Sequence, residues 1–293
     1  MTVRPERHLG FSRFAVAQDQ QASSGHALGQ DLAVQGCGGQ RRKPRVQCGE
    51  DGFAGGGHCN FDRLAAMKRR WEAVVISNGK FCSELRQRIA DAYEKSGNSC
   101  GWRLLASPSR VFDGADVAFI GLNPGGSFQP LDHAEFAMSH GSAYVVETWG
   151  GSNEPGTSPL QKQVRALFAR LSVEPEQVLA GNLVPFRSPS WDRLENPSFS
   201  LKFGELLWAD ILHRARPRVV IGMGREVLAP LCRILGATDT QSIPVGWGSV
   251  SATKGTIPGG SLVVLPHLSR FGIITRARSA DALRALFSER WKA

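Results

Sequence analysis

Asp116-Val117-Ala118-Phe119-Ile120-Gly121-Leu122-Asn123-Pro124-Gly125-Gly126 is the stretch whose reading decides the fold. Four consecutive apolar residues between a carboxylate and a glycine read as a short strand buried on both faces, as in a parallel sheet. The strand runs straight into a turn. Pro124 fixes φ and removes a donor, and Gly125 and Gly126 allow close backbone approach to a ligand. Ligands of open α/β sheets bind beyond the carboxyl ends of the strands. A carboxamide on such a turn is therefore placed to aim a water or a polar ring. On this stretch alone, Asn123 as an ordinary turn former is an equal reading.

Working outward, residues 178–185 read as a second strand, with Asn182 inside its apolar run. Residues 218–221 form a third strand that enters the Gly222-Met223-Gly224 turn. Residues 261–266 form a fourth, followed by His267-Leu268-Ser269-Arg270-Phe271. Residues 248–253 look like an edge strand, and 103–106 like a short one. Helical spacing links Leu64, Met67, Trp71, Val74 and Val75; Asn78-Gly79 is expected to break that helix, and 81–93 to resume it. Ser158-Pro159-Leu160-Gln161 has an N-cap serine, proline at N1 and glutamine at N3, which opens a further helix. Others are expected over 201–214, from Gly224 to about 235, and over 280–290 with Ser279 as its cap. Residues 127–159 form a long Gly-, His-, Ser- and Trp-rich connection, a length more often functional than idle. Strands alternating with helices predict an α/β three-layer sandwich around a central, mostly parallel four-stranded sheet.

The first 66 residues have a different composition. They hold 11 of the 33 glycines, with Gln- and Ser-rich stretches and no periodic apolar face. Such a segment cannot bury enough surface to offset its ordering entropy, so 1–66 is predicted to be a disordered extension and 67–293 the folded domain. Met67 is a candidate true start. Of the net charge of +9, the extension carries +2 and the domain +7, which favours a polyanionic partner. Cys37, Cys48, Cys59, Cys82, Cys100 and Cys232 contain no C-x-x-C pair and read as reduced thiols, with no zinc site expected. With no apolar run of membrane-spanning length and no export pattern, a cytoplasmic, nucleoid-associated protein is expected.

Taken in order, these motifs resemble the uracil-DNA glycosylase superfamily, closest to its single-strand-selective and mismatch-specific branches. Gly121-Leu122-Asn123-Pro124-Gly125 is similar to the family's first motif. Gly181-Asn182-Leu183-Val184-Pro185 resembles the strand whose asparagine reads the uracil edge, and His267-Leu268-Ser269 resembles the His-Pro-Ser motif that closes the site. Phe136, 13 residues past Asn123, falls where family members place the aromatic that stacks on the flipped base, although Tyr144 is an alternative. Gly222-Met223-Gly224-Arg225 resembles the glycine turn that holds DNA phosphate. The resemblance covers roughly 117–287.

It implies a monomeric, monofunctional glycosylase that acts on DNA in base excision repair and needs no cofactor or metal. Asn123 would orient the attacking water, since an amide is a poor base. His267 would donate to uracil O2 as charge builds there. Asn182 offers an acceptor and a donor that match uracil N3–H and O4. Gly121, Leu122, Pro124, Gly125 and Ser269 would complete the base pocket. Arg187, Arg225 and Arg270, with Gly222 and Gly224, would contact DNA, and Arg270 and Phe271 would fill the gap left by the base. Phe271 packed inward is the alternative. Two departures stand out. Leu268 replaces the middle proline, which predicts a less rigid loop, and Asn123 replaces the aspartate of the fastest members, which predicts slower hydrolysis. The cysteine pattern of the iron–sulfur members is absent. A catalytically silent nucleic-acid or nucleotide binder, or a phosphate-binding enzyme with a small substrate, would show many of the same features.

Overall fold

The computed structural model describes residues 78–126 and 134–292. The expectations for 1–66, for the 67 boundary and for the helix ahead of Asn78 lie outside these residues. The chain divides into Met1–Gly55 and Gly56–Ala293, and every described residue belongs to the second unit.

The sheet is α/β and mixed, with six strands in the order β2-β1-β3-β6-β5-β4. The four expected strands are β1 (Val117–Gly121), β2 (Leu179–Asn182), β3 (Val219–Met223) and β6 (Gly260–Leu265). They are mutually parallel, with Gly121 opposite Asn182, Ile120 opposite Gly222, and Met223 opposite Leu265. The expected edge strand at 248–253 is one arm of a hairpin of β4 (Thr238–Trp247) and β5 (Val250–Ile257), joined antiparallel to β6. The sheet is thus a parallel four-strand core plus an antiparallel ribbon. Residues 103–106 do not form a strand. They lie along the outer edge of β2, joined by the Leu105–Gly181 bridge.

Helices cover both faces. On one, α1 (78–96), α4 (Pro197–Ala215) and α5 (Leu228–Leu235) pack Leu85, Ile89, Trp208, Ile211 and Leu231 against Ala118, Ile120, Val220 and Val264. On the other, α3 (Pro159–Arg170) and α6 (Ala280–Phe287) pack Val164, Leu167, Phe168, Leu283 and Leu286 against Phe119, Ile221, Val263 and Leu265. The alternation of partners along each strand follows from its period of two.

Local chemistry sets the helix ends. Ser158 and Gln161 form the full capping box of α3, with Pro159 at N1. Asn78 and Gly79 are helical, at the described start of α1, so the helix is present three residues before the expected resumption at 81. Helix α4 begins at Pro197, four residues before the expected start, because proline at N1 lacks only a donor that would be unpaired there. Ser279 does not cap α6; its hydroxyl donates to Val245 O at 2.6 Å, and the helix stops at Phe287. Within the long connection lies a short helix, α2 (Ala143–Val146). Among the described residues no helix is long and apolar enough to cross a membrane.

Candidate active site at the carboxyl edge of the sheet

Strands β2, β1, β3 and β6 all point the same way, so Asn182, Asn123, Met223 and His267 gather at one edge of the sheet. Gly121 lies at its centre. A Cβ at this position would stand 2.5 Å from Asn182 Oδ1 and 3.5 Å from Met223 Cε. Glycine is therefore what lets the Asn182 carboxamide lie across the end of β1. The Asn182 main-chain carbonyl accepts from Trp208 Nε1 at 2.7 Å, which fixes the backbone. The half-buried side chain makes no hydrogen bond to another described residue.

Asn123 is half-buried and anchored at one end. Its Nδ2 donates to Ser188 Oγ at 2.8 Å and to Pro124 O at 3.3 Å, and Ser188 Oγ donates in turn to Ser190 O at 2.7 Å. Ser188 N also donates to Pro124 O at 3.2 Å, which ties the turn to the segment after β2. With the amine end occupied, Oδ1 is the end left to accept a hydrogen bond. Leu122 O accepts from Val184 N, so the segments leaving β1 and β2 stay in register past the strands themselves.

His267 begins the loop after β6. Its carbonyl accepts from the Arg270 and Phe271 amides in a tight turn, and its Nδ1 lies 2.8 Å from Ser269 Oγ. Burial, followed by the positive charge of Arg270, pulls the imidazole below the ordinary histidine value, and Glu226 only partly opposes this. It is therefore neutral near pH 7. If Ser269 donates to Nδ1, the ring proton resides on Nε2. Leu268 is buried in the same core cluster as Val164 and Phe168 of α3. Gln163 of α3 braces the same loop, accepting from Ile274 N at 2.9 Å and donating to Thr275 Oγ1 at 2.8 Å.

Several expected site residues lie elsewhere. Phe136 packs with α1 and Phe112, beneath the Arg86 guanidinium, on the sheet face opposite the one Asn182 and Gly121 look onto. It is a core aromatic. Tyr144 is on the Asn182 face, but its ring is wedged edge-on among Phe119, Phe168 and Trp149. Phe271 turns inward, edge-on to Trp247 at 5.9 Å, and does not project as a wedge. Arg270 is exposed beside it.

Arg187 is not displayed to a phosphate. It is buried, donating to Cys100 O at 3.0 Å and to Gly125 O at 3.4 Å, and its guanidinium fills the space a Gly126 side chain would take. It braces the Pro124–Gly126 turn from below. Gly222 owes its identity to helix packing, since a Cβ there would meet Val227, Leu231 and Val264 at 2.8–3.1 Å. Gly224, at φ 103°, needs glycine for its backbone. The Glu226 carboxylate is 3.4 Å from where the Gly224 Cβ would be, so an anion bound at this turn would meet like charge. Arg225 is exposed beside it.

Sequence reasoning missed Ser188 as the anchor of Asn123, Glu226 as a neighbour of His267, and Gln163 as the brace of the His267 loop. For Ser188 the signal was present, since Phe186-Arg187-Ser188-Pro189 follows the Asn182 strand directly. The two recesses described among these residues lie away from this edge. One, of about 300 Å³, is at the amino ends of β1 and β2, and the other lies between α1 and α4. The sequence matches no family model and no curated protein.

Proposed function

We propose that the protein is a monofunctional DNA glycosylase that hydrolyses the N-glycosidic bond of uracil, or of a related deaminated base, in DNA. One observation carries this reading. At the carboxyl edge the protein occupies the ends of the polar groups that the reaction does not need and leaves the needed ends without a partner among the described residues. Ser188 holds Asn123 Nδ2 and leaves Oδ1 to accept from a water. Ser269 Oγ lies against His267 Nδ1, and with the serine as donor the ring proton is on Nε2, free to donate. Asn182, held through its carbonyl by Trp208, leaves its whole carboxamide to read a base edge.

The chemistry follows. The bond is inaccessible in a stacked helix, so the nucleotide must be extruded. Asn182 would accept from N3–H and donate to O4, a pattern that cytosine does not match. As the bond breaks, the sugar gains positive charge and the base negative charge. His267 Nε2–H would stabilise the negative charge at O2 in a partly dehydrated site, an effect of about 3 kcal/mol per donor. A water oriented by Asn123 would add to the sugar, giving an abasic site and the free base. A neutral imidazole with its proton on Nε2 can make this hydrogen bond.

The test is a labelled oligonucleotide with a single uracil, incubated with the full chain and then treated with alkali. Strand scission is expected, and Asn123→Ala and His267→Ala should each slow it by about a hundredfold or more. Absence of scission for uracil and for other deaminated bases would leave a nucleic-acid binder without turnover. Near-wild-type rates in either variant would mean the roles are misassigned.

A further inference from the structure

We propose that Gln163 of α3 is a positioning residue for His267: it fixes the loop that follows β6 and so sets where the imidazole stands. The proposal rests on the glycosylase reading for the reaction concerned, but the link between Gln163 and the imidazole can be measured without it.

A buried amide is unfavourable unless its donor and its acceptor are both engaged. Gln163 is only 8% exposed, beside Val164 and Leu167, which pack into the core. Its amide bonds outside its own helix at both ends. Oε1 accepts from Ile274 N at 2.9 Å, and Nε2 donates to Thr275 Oγ1 at 2.8 Å. A Cβ on Gly272 would stand 3.6 Å from the same Nε2, so the loop passes directly over the amide. Gln161, the other buried glutamine of α3, spends its amide on the helix cap and on the carbonyls of Ala143 and Glu147. Of the two, only Gln163 reaches the loop that carries His267.

From Ile274 the path to His267 is a short ladder. Ile273 N, next in the chain, donates to Phe271 O at 2.8 Å. Phe271 N donates in turn to His267 O at 3.1 Å, and Arg270 N donates to the same carbonyl at 2.9 Å. Among the described residues, Gln163 is the one side chain from outside 266–279 that hydrogen-bonds to this segment. Leu268, Ile273 and Ile274 also anchor it by burial. Burial is non-directional, however, and fixes the depth of the segment more than the rotation of its peptide groups. A hydrogen bond fixes both, because it weakens steeply as its angle closes.

The experiment uses the full chain and two variants. Gln163→Leu keeps most of the bulk and removes both hydrogen bonds, whereas Thr275→Val removes only the one that lies beyond the path to His267. On the uracil oligonucleotide, Gln163→Leu should lower kcat and kcat/KM equally, by about tenfold, because the bond from His267 strengthens as the base departs. Thr275→Val should change kcat by less than about twofold. The second readout is the NMR titration of the His267 ring. Burial is the first cause of its lowered value, so the midpoint should rise toward 6.5 in Gln163→Leu and stay in place in Thr275→Val. Arg270 and Glu226, the charges that act on the ring, are unaltered in both. Gln163→Asn, whose amide is one methylene too short to reach Ile274 N, should act in the same direction and is the variant to read if Gln163→Leu does not fold. A role in stability alone would lower the melting temperature and move neither kcat nor the midpoint, and that outcome would overturn the proposal. Equal effects of the Gln163 and Thr275 variants would overturn it too. The two readings fail separately. A midpoint that follows Gln163 in a chain that releases no base keeps the link and removes the enzyme. Uracil release at the native rate in Gln163→Leu keeps the enzyme and removes the positioning role.

Discussion

The two ends of the same sheet treat charge in opposite ways. At the amino edge, Arg110 pairs with Glu176 at 2.8 Å, Arg214 with Asp113 at 2.6 Å, and Asp116 with both Arg218 and Arg290. The entries of β1, β2 and β3 are flanked by charges that satisfy one another. At the carboxyl edge, Arg225, Arg270, Arg276 and Arg278 have no carboxylate partner among the described residues, and the Asn182 carboxamide has no protein partner there either. Leaving a buried amide unpaired costs about 1–3 kcal/mol, and less when half-buried. A fold that closes one end this completely and leaves the other open is organised to stabilise at one edge and to recognise at the other. The recess at the amino edge is therefore a poor candidate site despite its shape: the charged groups around it are already matched.

The sharpest way to break this contrast is Gly121→Ala. The position does not require a positive φ, so the substitution is felt mainly through the contact with Asn182 Oδ1. Displacement of the carboxamide by about 1 Å should lower the rate of uracil release about a hundredfold while the melting temperature shifts little. A normal rate would show that the Asn182 position is not what the open edge is built around.

The mirror experiment is Asp116→Asn at the amino edge. The hydrogen bond from Arg290, with support from Arg218, holds the Asp116 carboxyl below its ordinary 3.8. A folded value below the unfolded one contributes stability that is complete above about pH 4 and is lost as pH falls through the depressed value. The carboxylate is about a third exposed, so water screens the pairs, and removing the charge should cost only about 1 kcal/mol. That corresponds to a melting temperature lower by roughly 2–4 °C at neutral pH, with glycosylase rate and DNA affinity unchanged. A loss of rate would show that the two edges are coupled.

Much of this arrangement could be read from the sequence, and the part that could not has a physical reason. The parallel strands were legible because burial on both faces leaves an uninterrupted apolar run, as in Val117–Ile120, and helix α3 because its capping box is local. Strand β4 was not legible. Its first five residues, Thr-Asp-Thr-Gln-Ser, are exposed and polar, and a ribbon edge needs neither an apolar run nor strict alternation. The same exposure hid the contact of Trp247 with Phe271 and Arg276, which exists only because two antiparallel turns carry that ring back to the His267 edge. Asn123, Asn182 and His267 could be placed at one edge because each follows or ends a buried strand. Phe136 and Arg187 were misplaced because spacing along the chain does not say which sheet face a loop residue meets. Arg187 looked like a surface cation, and only the tertiary contact with Gly126 shows it to be a brace.

The smallest effect, and the most local, concerns His267. Its depressed value means that protonation opposes the native loop, so its contribution is complete above the ordinary 6.5 and is lost as pH falls through the lower folded value. Acid should therefore disturb the two edges in sequence. The His267 loop responds first, at mildly acid pH, and the Asp116 cluster responds only below about pH 4. The measurement is an NMR titration of the His267 ring, whose midpoint should lie below 6.5. Arg270→Gln should raise it by removing the repelling charge, and Glu226→Gln should lower it further by removing the opposing carboxylate. Those opposite responses separate a loop charge from burial alone, because burial would leave the midpoint equally depressed in both variants. A midpoint at or above 6.5 in the native protein would make the imidazole substantially cationic near neutrality, and the carboxyl edge would then hold its histidine by charge, as the amino edge holds its arginines.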